Sequence, residues 1–111
     1  MPRVFMWMGR ALNVKPILEL HDGRIQLIER PRGDAKAMRR LVWNAATRLG
    51  NQRSRVAVMH AAEPQKALDL AALLQATLDI EDLFITEFTP VIGAHTGPGL
   101  VGCAMHPVDH A

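Results

Sequence analysis

Arg55-Val-Ala-Val-Met-His60, followed by Ala-Ala-Glu63-Pro64, is the stretch on which the fold turns. An apolar run this short and continuous reads as a strand buried on both faces or lying at a sheet centre. Pro64 suits the first helical position, where the missing N–H has no partner to lose. Ala67, Leu70, Ala71, Leu74 and Leu78 then recur at helical spacing and predict one apolar stripe. Leu83-Phe-Ile-Thr-Glu87 returns as a strand. A strand, a helix and a second strand in that order predict a sheet with a helix laid on it.

Working upstream, Asp34 is a candidate N-cap for a helix to about Leu49. Met38, Leu41, Val42, Ala45 and Leu49 form its inward face, and Gly50-Asn51 ends it. Before it, Pro16–Leu20 and Ile25–Glu29 flank His21-Asp22-Gly23-Arg24, whose Asp-Gly pair is a strong hairpin signal. Downstream, Leu100–Met105 reads as a last strand and residues 106–111 as a loose tail. Residues 1–8 hold an apolar cluster, Val4 to Met8, with no period to read. An apolar terminus suggests packing against this domain, a second copy or another chain. The expected fold class is α/β (α+β): a two-layer sandwich, with a mixed sheet of about five strands and two main helices on one face.

The chain has 111 residues, 49% hydrophobic and 22% charged, which fits one small soluble globular domain. Its net charge of +2 is too balanced to argue for nucleic acid. The single cysteine, Cys103, excludes a disulfide framework or a cysteine-based zinc site within one chain. The run from Val4 to Met8 is too short for a signal segment or a membrane span, so the expected location is the cytoplasm.

Thr89-Pro-Val-Ile-Gly-Ala-His-Thr-Gly-Pro-Gly99 carries most of the functional information. Gly93, Gly97 and Gly99 allow a concave run of backbone N–H groups, which suits an anion. His95 and Thr96 each add a side-chain donor, so a carboxylate or phosphate head group fits. The spacing is neither that of a P-loop nor that of a dinucleotide fingerprint. The plain structural alternative is a tight crossing between two strands. His95 titrates near neutrality and is a formal candidate base, but no nucleophile motif accompanies it. Glu87 and Asp82 are the nearest acids upstream, and no spacing selects either.

Other groups weigh less. His60 stands at the carboxyl end of the central strand, where open sheets place ligands, but reads first as a satisfied buried histidine. His95, His106 and His110 lack a carboxylate or cysteine pattern to complete a metal site. Arg30, Arg32, Lys36, Arg39 and Arg40 form a basic run, either a solvated surface or a contact for an acidic partner. Met38, Met59 and Met105 read as core fillers, a type that also suits a flexible lipid-lined cavity.

Three segments, taken in order, resemble the carboxyl-terminal domain of DegV family fatty-acid-binding proteins. They are Gly9-Arg-Ala-Leu-Asn-Val-Lys-Pro-Ile-Leu18, the Arg32-x-x-x-Lys36-Ala37 helix entry, and Pro90-Val-Ile-Gly-Ala-His-Thr-Gly-Pro-Gly99. The resemblance runs from about residue 9 to residue 105. It implies a non-catalytic carrier that binds one long-chain fatty acid, with the acyl chain in an apolar interior. It places the carboxylate at His95 and Thr96, beside the glycine-rich turn of Gly93, Gly97 and Gly99. It implies presentation of the bound lipid to a fatty acid kinase, with Arg32 at that contact, and no metal or further cofactor. The family's amino-terminal domain, with its hydroxyl-bearing carboxylate ligands, has no counterpart in residues 1–111. The alternative is therefore a truncated interaction domain that needs a separate amino-terminal domain or a second copy to bind ligand.

Overall fold

The computed structural model describes residues 2–8, 13–87 and 99–108. In chain order these form β1 (Arg3–Trp7), β2 (Ile17–His21), β3 (Arg24–Glu29), α1 (Asp34–Leu49), β4 (Ser54–His60), α2 (Pro64–Thr77), β5 (Ile80–Glu87) and β6 (Val101–Pro107). The strands make one sheet in the order β3-β2-β1-β6-β4-β5. Strands β4 and β5 are parallel, as the α2 crossover requires, and every other pair is antiparallel. The mixed sheet with two helices on one face agrees with the sequence reading.

The difference is a sixth strand. The apolar cluster at residues 4–8 overlaps β1, which lies in the middle of the sheet between β2 and β6. Phe5 and Trp7 point into the helix layer and are fully buried, while Val4 and Met6 face the other side. A central strand with both faces apolar shows no alternation, so its sequence carried no period. The last strand also extends beyond the expected end. His106 and Pro107 are not loose tail: they pair with Arg55 and Ser54 of β4. Pro107, which cannot donate to the ladder, sits at the strand's final position.

Local signals act as their chemistry dictates. Asp22 and Gly23 both take positive φ, 53° and 74°, which gives a two-residue turn that matches strand twist. Pro64 opens α2. Gly33, not Asp34, is the N-cap of α1, and Asp34 is the first helical residue. Its carboxylate is engaged elsewhere, as described below. The core lies between the helices and the sheet. Leu41 and Ala45 of α1 and Leu70 and Leu74 of α2 meet Phe5, Trp7, Ile17, Val58, Val101 and Cys103, all at 0% exposure.

The opposite face carries no helix among the described residues. Registered pairs align Leu27, Leu18, Met6, Gly102, Met59 and Thr86 in one row across the sheet. Ile25, Leu20, Val4, Ala104, Ala57 and Phe84 form the next. Ile25 and Phe84, at the two edges, are 73% and 59% exposed.

Candidate functional site

The glycine-rich segment connects the end of β5 at Glu87 to Gly99. Both flanks lie at one edge of the domain, because His60 pairs with Glu87 on one side and with Val101 on the other. Trp7 of β1 also pairs with Val101. The amino ends of α1 and α2 lie at this same edge: α2 follows β4 directly, and Asp34 of α1 contacts Trp7. Two helix amino ends contribute partial positive charge there, a setting that favours an anion.

The return of the segment is fixed by backbone bonds. Gly99 N–H donates to the Ala61 carbonyl at 3.0 Å, and Ala61 N–H donates to the Leu100 carbonyl at 2.9 Å. Gly99 adopts φ 99°, which a residue with a Cβ rarely takes. The turn it binds is itself strained, since Ala62 has φ 58°. A non-glycine residue in that region costs of the order of 1–2 kcal/mol. Such outliers collect at functional sites, where the surrounding structure holds them. His60 is buried, and its Nδ1 accepts the Glu63 N–H at 3.0 Å, which satisfies an orphan donor at the start of α2. That is the structural role its position suggested.

Beneath this edge lies a charged network. The Asp34 carboxylate accepts the Trp7 indole N–H at 3.0 Å and pairs with Lys66 Nζ at 2.9 Å. Lys66 also meets Glu63 at 3.2 Å, and the buried Lys15 ammonium lies 3.9 Å from Asp34. Burial pushes the Asp34 carboxyl up, but the Lys66 and Trp7 donors and the Lys15 charge outweigh it, so the net direction is down. Burial alone would lower Lys66, and the Asp34 and Glu63 carboxylates reverse that, so Lys66 is raised. The network keeps Lys66 charged next to the helix amino ends.

Of the residues read from the sequence as site residues, Gly99 is at this edge. Gly93, His95, Thr96 and Gly97 lie outside the described residues. Arg32 is exposed, just before α1, on a strap where Lys15 N–H donates to the Pro31 carbonyl at 2.7 Å and Gly33 N–H to the Asn13 carbonyl at 3.1 Å. The basic run divides. Arg40 makes a forked pair with Glu29 at 2.7 and 2.8 Å, whereas Arg30, Lys36 and Arg39 are exposed. Trp7, Lys15 and Lys66 were not legible as partners of Asp34, because Trp7 and Asp34 are 27 positions apart and no motif links them. Among the described residues no group of three His, Cys, Asp or Glu side chains could hold a metal. His106 is exposed near the opposite end of β6, and His110 lies outside the described residues. No helix of the described residues is long and apolar enough to cross a membrane. Cys103 is buried, and burial pushes its thiol up to about 12.

Comparison with known proteins gives these features a context. A DegV domain-containing protein of Streptomyces coelicolor is 46% identical over 98 residues, which is 87% of this chain and 35% of that protein. The chain thus spans about a third of the length of the relatives it matches. A DegV lipid-binding protein from Thermotoga maritima shares the fold at a TM-score of 0.87, with 21% identity over 99% of this chain and 44% of that one. A fatty-acid-binding DegV family protein from Streptococcus agalactiae aligns at a TM-score of 0.81 and 26% identity, covering 97% of this chain and 45% of that one. The model of a family described as uncharacterised DegV proteins matches residues 2–108. With nearly its whole length inside that match and its six-stranded sheet shared with solved members, this chain belongs to the DegV family.

Proposed function

We propose that this domain binds a long-chain fatty acid and acts as a carrier without catalysis of its own. His95 and Thr96 hold the carboxylate, together with backbone N–H groups freed by Gly93, Gly97 and Gly99. The observation that carries the reading is family membership, since solved relatives of this fold are described as lipid- or fatty-acid-binding. The local geometry supports it. The glycine-rich segment is anchored at an edge where two helix amino ends meet beside Lys15 and Lys66, and such an edge favours a carboxylate over a neutral head group. The space between the helices and the sheet is close-packed. The acyl chain therefore lies along apolar side chains outside that layer, where Met59, Met6 and Leu18 form a row that crosses the strands one residue in from the same edge. Arg32, exposed on the strap before α1, is the residue proposed to meet a fatty acid kinase.

The test is solvent extraction of purified protein followed by mass spectrometry, with direct titration of palmitate and oleate. A stoichiometric fatty acid, and weaker uptake in His95→Ala, is the expected result. No extracted lipid together with no uptake sinks the proposal.

A second reading, in which the domain binds lipid only when another polypeptide or a second copy covers its open face, rests on a specific observation. The apolar hollows near Phe84 and near Trp43 measure about 170 and 220 Å³. Small-molecule sites usually enclose roughly 300–1,000 Å³. Palmitate uptake that appears only as protein concentration rises, or only on adding the amino-terminal part of a longer relative, selects this reading.

A further inference from the structure

At the opposite end of the sheet, a hollow of about 440 Å³ opens beside the β2–β3 hairpin, lined by Arg3, Glu19, His21, Asp22, Arg24 and Gln26. Its volume falls within the roughly 300–1,000 Å³ of small-molecule sites. Its floor is a built ion triad. The Glu19 side chain is 6% exposed, and its two oxygens accept Arg3 Nη1 at 2.6 Å and Arg48 Nε at 2.8 Å. The triad fixes Arg3 on the wall through Nη1, and among the described residues its other guanidinium N–H donors have no hydrogen-bond partner. The His21 ring is held between acceptors, with Nδ1 3.4 Å from the Pro2 carbonyl and Nε2 3.3 Å from Asp22. Arg24 is exposed and has no hydrogen bond or ion pair among the described residues. On the lining, Arg3 and Arg24 balance Glu19 and Asp22, and Arg48, bonded to Glu19 from behind, leaves the cluster one positive charge in excess. The carboxyl end of α1 opposes an anion here, but Arg48 in its last turn offsets that dipole.

We infer that this hollow binds a small molecule through a phosphate group, at a site separate from the glycine-rich edge. Arg3 on β1 and Arg24 on β3 approach from opposite sides of β2, and Gln26 adds an amide. A tetrahedral group with three free oxygens can bridge such donors, whereas a flat carboxylate satisfies a single guanidinium fork. The competing role for Arg24 is an edge charge that keeps β3 from pairing with another chain.

The experiment uses the full chain, labelled with nitrogen-15 and titrated at constant ionic strength with inorganic phosphate, glycerol 3-phosphate or acetate. Saturable amide shifts around His21, Arg24 and Gln26 are expected with glycerol 3-phosphate, with or without inorganic phosphate. Arg24→Ala should weaken that binding by about tenfold or more, as loss of a charge-assisted contact implies. Its urea midpoint should match the wild type, because the exposed Arg24 side chain makes no hydrogen bond or ion pair among the described residues. Shifts no larger than those given by acetate, or an unchanged affinity in Arg24→Ala, would overturn the inference.

Discussion

Replacing Asp34 by alanine tests whether the charged network beneath the glycine-rich edge holds the domain together. The substitution removes the acceptor of the buried Trp7 N–H and one counter-ion of Lys66. A hydrogen bond to a charged group contributes about 1.5–3 kcal/mol. A carboxylate in the first turn of a helix adds about 0.3–1 kcal/mol. The Asp34 side chain is 35% exposed and Lys66 keeps Glu63, so solvent and the remaining partner reduce the sum. The expected loss is about 2–3 kcal/mol, or roughly 10–20 °C in Tm for a domain of this size. Asp34→Asn keeps an oxygen for Trp7 and should lose only about 1 kcal/mol. Urea unfolding followed by Trp7 fluorescence, in a Trp43→Phe background, measures both. The sign with pH is fixed by the depressed Asp34 pKa. Its contribution is full above the ordinary value of 3.8 and is lost as pH falls through the lower folded value. The gap between wild type and Asp34→Ala should therefore close in acid. Equal losses in the two variants, or a gap that does not vary with pH, would refute the assignment of stability to this network.

Two further outcomes follow from the packing. Cys103 should resist thiol reagents in the folded protein and react only as fast as the chain opens. Its thiol is pushed up to about 12 from an ordinary 9.0, so this residue's contribution to stability is full below pH 9 and falls as the pH rises towards 12. A rapid, stoichiometric reaction at neutral pH would contradict this. Gly102→Ala should destabilise by about 1–3 kcal/mol, as overpacking does. A Cβ there would meet the Phe5 carbonyl oxygen and come within 2.8 Å of the Met6 Cβ, both on the central strand β1. An unchanged urea midpoint would show that β1 can shift aside.

Whether a residue's role was legible depended on whether its partners were near in sequence. Asp22-Gly23, Pro64 and the two helical stripes announced themselves, because turn geometry and helical period act within a few residues. The strand Arg3–Trp7 did not, since burial on both faces erases the alternation that marks a strand. Asp34 read as an N-cap from its local position, yet its carboxylate is taken by Trp7 and Lys66, one brought in by the sheet and the other by α2. The polar hollow near Arg24 was equally hidden, because Arg3, Glu19 and Arg48 meet there only through strand pairing and helix packing.

The amino-acid sequence by itself determined the two helices, five of the six strands, the hairpin, the helix–sheet layering and the glycine-rich segment, all set by short-range chemistry. Only the tertiary structure decided that the amino-terminal strand is central to the sheet. It also decided that both flanks of the glycine-rich segment share an edge with two helix amino ends, and that a row of apolar side chains crosses the strands one residue in from that edge. Those facts depend on which strands pair, and pairing is chosen by the total burial of the sheet rather than by any one residue's neighbours along the chain.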